Sequence, residues 1–164
     1  MKNKYILTGI IAGAVILLDQ AAKFIIIRYV FLHDTISVIP GFFNITHVRN
    51  KGAAFSILSD LPAAFRPAFF IIVTCAALVV IAAVIRRTEA RIQLAALSLI
   101  AGGAAGNLVD RIRFGEVVDF IDWYVRSWHW PAFNVADSAI SIGAVLLAGG
   151  IFLKKSGGDG TRPS

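Results

Sequence analysis

Apolar residues run along this chain in four long stretches, at about residues 5–27, 69–85, 92–109 and 135–153, and most charged residues gather between them. Each stretch holds roughly 17 to 23 residues, enough for a helix to cross a ~30 Å hydrocarbon core. The pattern therefore predicts a membrane all-α core of four transmembrane helices. Lys2 and Lys4 ahead of the first stretch give it the look of a secretory leader. The apolar run continues past Asp19 and Lys23 without a clear small-residue cleavage site, however, so a retained helix is expected. No polar linker divides the stretches, and residues 1–164 read as a single integral membrane domain with a disordered cytoplasmic tail at about 156–164.

The segments between the stretches have patterns of their own. Residues 28–68 contain Thr35-Ile36-Ser37-Val38-Ile39, a Pro40-Gly41 turn and a second β-rich run from Phe42 to Val48. A small sheet resting on the bilayer surface is expected there. Residues 110–134 hold Trp123, Tyr124, Trp128 and Trp130 within eight positions, a composition that suits the headgroup region and predicts an interfacial aromatic loop. Four spans place both termini on one side. Eight of the sixteen Lys and Arg residues fall on that side, so the total gives no orientation. Density does: Arg86, Arg87 and Arg91 crowd a six-residue connection, and short loops carry the positive-inside signal. Both termini are expected in the cytoplasm, with residues 28–68 and 110–134 facing outward.

Composition adds little that the pattern lacks. The chain is 57% hydrophobic and 16% charged, with a mean hydropathy of +0.75, and soluble domains carry more charge than this. A net charge of +6 raises nucleic acid as a partner, but the basic residues form no stripe interleaved with exposed aromatics, and membrane orientation accounts for them. No nucleic-acid partner is expected. Cys75 is the sole cysteine and sits within the second stretch; it is expected to pack as a small buried hydrophobe. His33, His47 and His129 lack metal-ligand spacing, and Ser56, Ser138 and Ser141 lack a nucleophile elbow, so neither metal nor cofactor is expected.

The remaining polar residues converge on one level. Asp19 and Lys23 fall in the outer half of the first stretch, Asn107, Asp110 and Arg111 at the outward end of the third, Asn134 and Asp137 at the outer start of the fourth, and Asp119 in the connection between those two. Ionisable groups in such surroundings are costly and usually functional. Several also have structural readings. Asp19 and Lys23 are spaced as a helical ion pair, which favours a brace over catalysis. Asn134 followed three residues later by Asp137 resembles a capping box, so Asp137 taken alone divides evenly between cap and catalyst. Gly102 and Gly106 have the spacing that lets membrane helices pack closely, which would also position Asn107 and Asp110.

Five ordered blocks bring in a family. Asp19-Gln20-Ala21-Ala22-Lys23, Asn50-Lys51-Gly52-Ala53-Ala54-Phe55, Gly102-Gly103-Ala104-Ala105-Gly106-Asn107-Leu108-Val109-Asp110-Arg111, Val118-Asp119-Phe120 and Phe133-Asn134-Val135-Ala136-Asp137-Ser138 together resemble bacterial lipoprotein signal peptidase, also called signal peptidase II. The resemblance spans about residues 5 to 153 and has no departure at the motif positions. It implies an aspartic endopeptidase of the bacterial inner membrane. Such an enzyme removes the signal peptide of a prolipoprotein, cutting before a diacylglyceryl-modified cysteine, and is inhibited by globomycin-type cyclic peptides. Carried onto this chain, the catalytic pair is Asp119 and Asp137. Asp19, Lys23, Asn50, Gly52, Asn107, Asp110, Arg111 and Asn134 would be the supporting or substrate-binding residues, with Asn50 and Arg111 positioning substrate backbone or organising the outer segment.

The physical chemistry agrees. Two acids close enough to hold one water do not easily both ionise in a low-dielectric site, so one serves as base and the other as acid. Asp137 near a helix N-terminus should favour charge, while Asp119 between Val118 and Phe120 should resist it. The pattern points to Asp137 as the resting base. Without the resemblance Asp122 is a rival acid, although Trp123 and Tyr124 beside it suggest a surface position. A small proton-coupled transporter and a non-catalytic lipid-binding scaffold are the readings from other functional classes. No chain of ionisable groups crosses to the cytoplasmic side, as transport would need.

Overall fold

The computed structural model describes residues 2–52 and 65–156, and these described residues form four helices and a small antiparallel sheet. In chain order these are α1 (Lys2–Tyr29), β1 (Thr35–Ile39), β2 (Phe43–Asn50), α2 (Phe65–Arg87), α3 (Arg91–Phe114), β3 (Val117–Val125), β4 (Trp128–His129) and α4 (Val135–Ser156). Ala53, Ala54, Phe55 and Ser56, and the tail after residue 156, lie outside the described residues. Among the described residues, three helices are long and apolar enough to cross a membrane: Asn3–Tyr29, Phe65–Arg87 and Arg91–Phe114. Val135–Gly150 is a shorter apolar helix.

Each helix outlasts its apolar stretch, because backbone hydrogen bonds propagate regardless of side-chain polarity. The third continues from Val109 through Asp110, Arg111 and Arg113 to Phe114. Gly115 stops it: at φ +75° it adopts the left-handed conformation that glycine takes without a Cβ penalty, and its N–H bonds the Arg111 carbonyl at 2.9 Å. The chain then turns directly into β3.

α3 is the central helix, packed against α1, α2 and α4. Its glycines make that possible. A Cβ on Gly102 would lie 2.9 Å from the α1 backbone at Ala12, and one on Gly103 would collide with the Ala136 carbonyl of α4. Gly103→Val is therefore expected to cost about 1–3 kcal/mol through overpacking. Gly13→Ala, where a Cβ meets nothing within 4 Å, should be nearly neutral, and thermal unfolding of the two variants checks the contrast. Large apolar side chains such as Leu17, Phe24, Ile72, Val79 and Val145 remain exposed on the outer faces, as hydrocarbon contact requires. The buried setting expected for Cys75 is corrected here, since the residue is exposed on α2. That helix leans on α3 and leaves most of its surface uncovered.

The sheet has the order β1-β2-β3-β4. β1 falls where the sequence placed it, and β2 runs two residues beyond Val48 to Asn50. The aromatic segment of residues 123–130 is corrected from a loop to the β3–β4 hairpin, in which Tyr124 pairs with His129 and Val125 with Trp128. Val118 and Phe120 of β3 pack with Ile26 and Val30 at the end of α1, which fixes the sheet on the bundle. Val48 pairs with Asp119 and Asn50 with Val117.

Candidate active site

The site forms where α1, α3, β2, β3 and the start of α4 meet. Lys23 is its hub. Its ammonium lies 2.8 Å from Asp19 Oδ2 and 2.8 Å from Asp110 Oδ2, and donates to Asn107 Oδ1 at 3.0 Å. The i, i+4 spacing of Asp19 and Lys23 brings the pair together as the sequence implied, but the brace reaches across helices as well. Asp19 Oδ1 accepts the Ala136 N–H at 3.0 Å, so an α1 carboxylate caps α4. Gly106 permits the approach, because a Cβ there would stand 2.7 Å from Asp19 Oδ2. Asp110 Oδ2 in turn accepts the Val118 N–H at 3.1 Å, holding β3 one residue before Asp119.

Asn134 links the two candidate acids. Its amide donates to Asp119 Oδ1 at 2.7 Å. Its Oδ1 accepts the Asp137 N–H at 2.9 Å, and its own N–H donates to Asp137 Oδ2 at 3.3 Å. This reciprocal pair is the capping box read from the sequence. Asp137 does more than cap, because its Oδ1 also receives the Asn107 amide at 2.7 Å. On the other side, Asn50 at the end of β2 donates to Asp119 Oδ2 at 2.8 Å. Both Asp119 oxygens are thus held by asparagine amides.

The two acids differ in exposure. Asp119 is 1% exposed and Asp137 is half-buried. Burial pushes the Asp119 carboxyl up to about 6, with the Asp137 charge adding to the rise; the Asn50 and Asn134 amides and the Lys23 charge oppose it. A carboxylic acid that keeps its proton into the weakly acidic range, beside a second, half-buried carboxylate, suits acid–base work on a shared water.

All the sequence-derived candidates that belong to the network meet here, and Arg111 lies within electrostatic reach of Asp119 and Asp137 with its guanidinium 5.1 Å from the Phe70 ring centroid. Gly52 donates its N–H to Asn50 Oδ1 at 2.8 Å. Asp122 stands apart, and its expected surface position is corrected: it is 8% exposed, accepts the Asn44 amide at 2.9 Å and lies 2.8 Å from His129 Nδ1. Those partners belong to the outer end of the sheet. Gln20 was missed. Its amide donates to Asp110 Oδ1 at 2.9 Å and to the Gly106 carbonyl at 3.2 Å, and an uncharged amide inside an apolar helix next to Asp19 was the available signal.

A family model described as "Signal peptidase (SPase) II" matches residues 11–153. A lipoprotein signal peptidase from Syntrophus aciditrophicus is 50% identical over 149 residues, covering 90% of this chain and 92% of the relative. Another from Geobacter metallireducens is 49% identical over 150 residues, covering 90% and 91%. Among solved structures, one titled as a bacterial membrane enzyme at 1.9 Å resolution is 37% identical, with a TM-score of 0.79 and coverage of 88% of this chain and 92% of that one. A second, at 2.3 Å, is 35% identical, with a TM-score of 0.83 and coverage of 96% and 94%. With a family model over most of its length and relatives sharing half its residues, this multi-pass membrane protein belongs to the signal peptidase II family.

Proposed function

We propose that Asp119 and Asp137 are the catalytic carboxylates of this enzyme, a protease that removes the signal peptide of prolipoproteins. The observation that carries the assignment is Asn134, which binds both acids at once and so links one buried and one half-buried carboxylate. In the active form of the pair Asp137 is the anion, favoured by the α4 N-terminus, and Asp119 holds the proton. Asp137 takes a proton from the bound water as its oxygen attacks the scissile carbonyl. Asp119 donates to the developing oxyanion, the proton gained by Asp137 goes to the leaving amine, and Asp119 recovers its proton from the gem-diol as the C–N bond breaks. Arg111, poised over Phe70 and with no carboxylate bonded to it among the described residues, is suited to hold a substrate carbonyl.

Four helices span the bacterial inner membrane in this reading, with both termini cytoplasmic and the site near the outer face. Lys4 supports that arrangement: its ammonium bonds the Arg86 and Thr88 carbonyls at 3.0 and 3.2 Å and Glu89 at 2.6 Å, tying the N-terminus to the short arginine-rich connection at the end opposite the acids. Exposed Trp123, Trp128 and Trp130 support a position of the hairpin at the headgroup layer. A signal peptide helix and the acyl chains on its cysteine then reach the acids without leaving lipid. Globomycin-type cyclic peptides would compete for the same space.

The test is cleavage of a diacylglyceryl-modified prolipoprotein as a function of pH. Only the singly protonated pair is active, so kcat/KM should fall as pH rises through about 6, where free Asp119 loses its proton. Substrate covering the acids excludes water and raises that proton affinity, so the same limb in kcat should lie at higher pH. A kcat/KM profile flat from pH 5 to 9 would contradict the assignment of Asp119 as the acid.

A further inference from the structure

We propose that Phe70, on the first turns of α2, is a positioning residue of the proteolytic site, its ring seating the Asn50–Gly52 turn against Asp119 and its face holding the Arg111 guanidinium. The inference rests on the reading of Asp119 and Asp137 as the catalytic pair.

Gly52 provides the first link. It has φ +82°, a left-handed conformation that favours glycine, and the Phe70 ring occupies the space a Cβ there would need. The Gly52 N–H is bonded to Asn50 Oδ1 at 2.8 Å. With its oxygen engaged, the Asn50 amide can present only its NH2 end to Asp119, which it does at 2.8 Å. Phe70 therefore acts on Asp119 through two intermediates: the ring fixes Gly52, Gly52 fixes the Asn50 rotamer, and Asn50 fixes Asp119.

The rest of the α2 N-terminus reinforces this geometry. Pro67 lies 3.5 Å from where a Cβ on Gly115 would be, at the turn that leads into β3. The same helical turns thus abut both the end of β2 and the approach to β3, the two strands that carry Asn50 and Asp119. The Arg111 guanidinium carbon stands 5.1 Å from the Phe70 ring centroid, within cation–π range. One ring consequently orients a donor to the buried acid and a cation beside the half-buried one.

The two contacts separate experimentally. Phe70→Ala should free the Asn50 amide, and because that donor favours the charged form of Asp119, losing it raises the proton affinity of the acid. The alkaline limb of kcat/KM should move up by about 0.5–1 pH unit. Asn50→Ala should give the same shift, and the double variant no more than either alone. Phe70→Leu keeps bulk against Gly52 but has no π face, so its limb should stay at the wild-type pH while KM rises severalfold.

An unmoved limb in Phe70→Ala alongside a moved one in Asn50→Ala, or additive shifts in the double variant, would overturn the inference while leaving the catalytic assignment standing. Cleavage surviving in Asp119→Asn would remove that assignment instead. If Phe70→Ala does not fold, Gly52→Ala supplies the same test, since its Cβ must displace either the ring or the turn. A wild-type limb in a folded Gly52→Ala protein would equally overturn the inference.

Discussion

Asp119→Asn and Asp137→Asn are each expected to lower kcat for prolipoprotein cleavage by about 10³-fold or more, because each removes one half of the proposed proton-transfer pair and the other half cannot serve both steps. Asp122→Asn should stay within severalfold of wild type. Asp122 is as buried as a catalytic acid needs to be, but it is bonded to Asn44 and His129 at the outer end of the sheet, away from Asn134. Cleavage assays on the three purified proteins distinguish the acids, and retained activity in either of the first two would refute the pair.

The same substitution should leave the fold intact. The Asp119 carboxyl is raised from 3.8 to about 6 in the folded protein, so the folded state binds the proton more tightly than the unfolded chain does. The contribution to stability is fully present below pH 3.8 and is lost as the pH rises through about 6. At neutral pH the buried charge costs on the order of 3 kcal/mol. Asparagine removes that charge but keeps the shape. It accepts one amide at its oxygen and loses the other, a loss of about 1 kcal/mol. Asp119→Asn should therefore melt at or above the wild-type temperature at pH 7.5 while being inactive. An inactive variant with a much lower melting temperature would mean that Asp119 is needed for structure.

Much of this site was legible because its signals are local. The four apolar stretches mark the helices by length, Asp19 and Lys23 pair by helical spacing, and Asn134 and Asp137 announce a helix start. The parts that were hidden depend on distant pairing. Residues 117–125 carry Asp119 and Asp122 in a run that lacks clean alternation, because Val117 through Phe120 are all buried. Their partner strand lies about seventy positions earlier, and nothing local records that Asn44 and His129 enclose Asp122. Helix length was similarly obscured at Asp110 and Arg111, whose charges end the apolar window without ending the helix. Cys75 and Phe70 illustrate the remaining limit. Which side of an apolar helix meets protein and which meets lipid is settled by the neighbouring helix, and α2 has few charged residues to mark either face.

Lys23→Met should destabilise the protein by about 3–5 kcal/mol, the largest stability effect expected of any single substitution at the site. The side chain is 2% exposed and balances two carboxylates, Asp19 at 0% and Asp110 at 1%. Methionine fills a similar volume, so the loss would come from leaving two buried anions without their cation and not from a cavity. The damage should reach the chemistry. Asp19 caps α4 at Ala136, next to Asp137, and Asp110 holds the Val118 N–H, next to Asp119. The cation therefore keeps both proposed catalytic residues in register from the far side of the network. Asp110→Asn in the Lys23→Met background removes one of the orphaned charges and should recover part of the lost stability, which a double-mutant cycle by thermal unfolding measures. Activity should return less completely than stability, because the amide cannot restore the Lys23 bridge between α1 and α3. A loss below about 1 kcal/mol in the single variant would instead mean that water reaches the two carboxylates, and the network would then be a solvated cluster and not a buried strut.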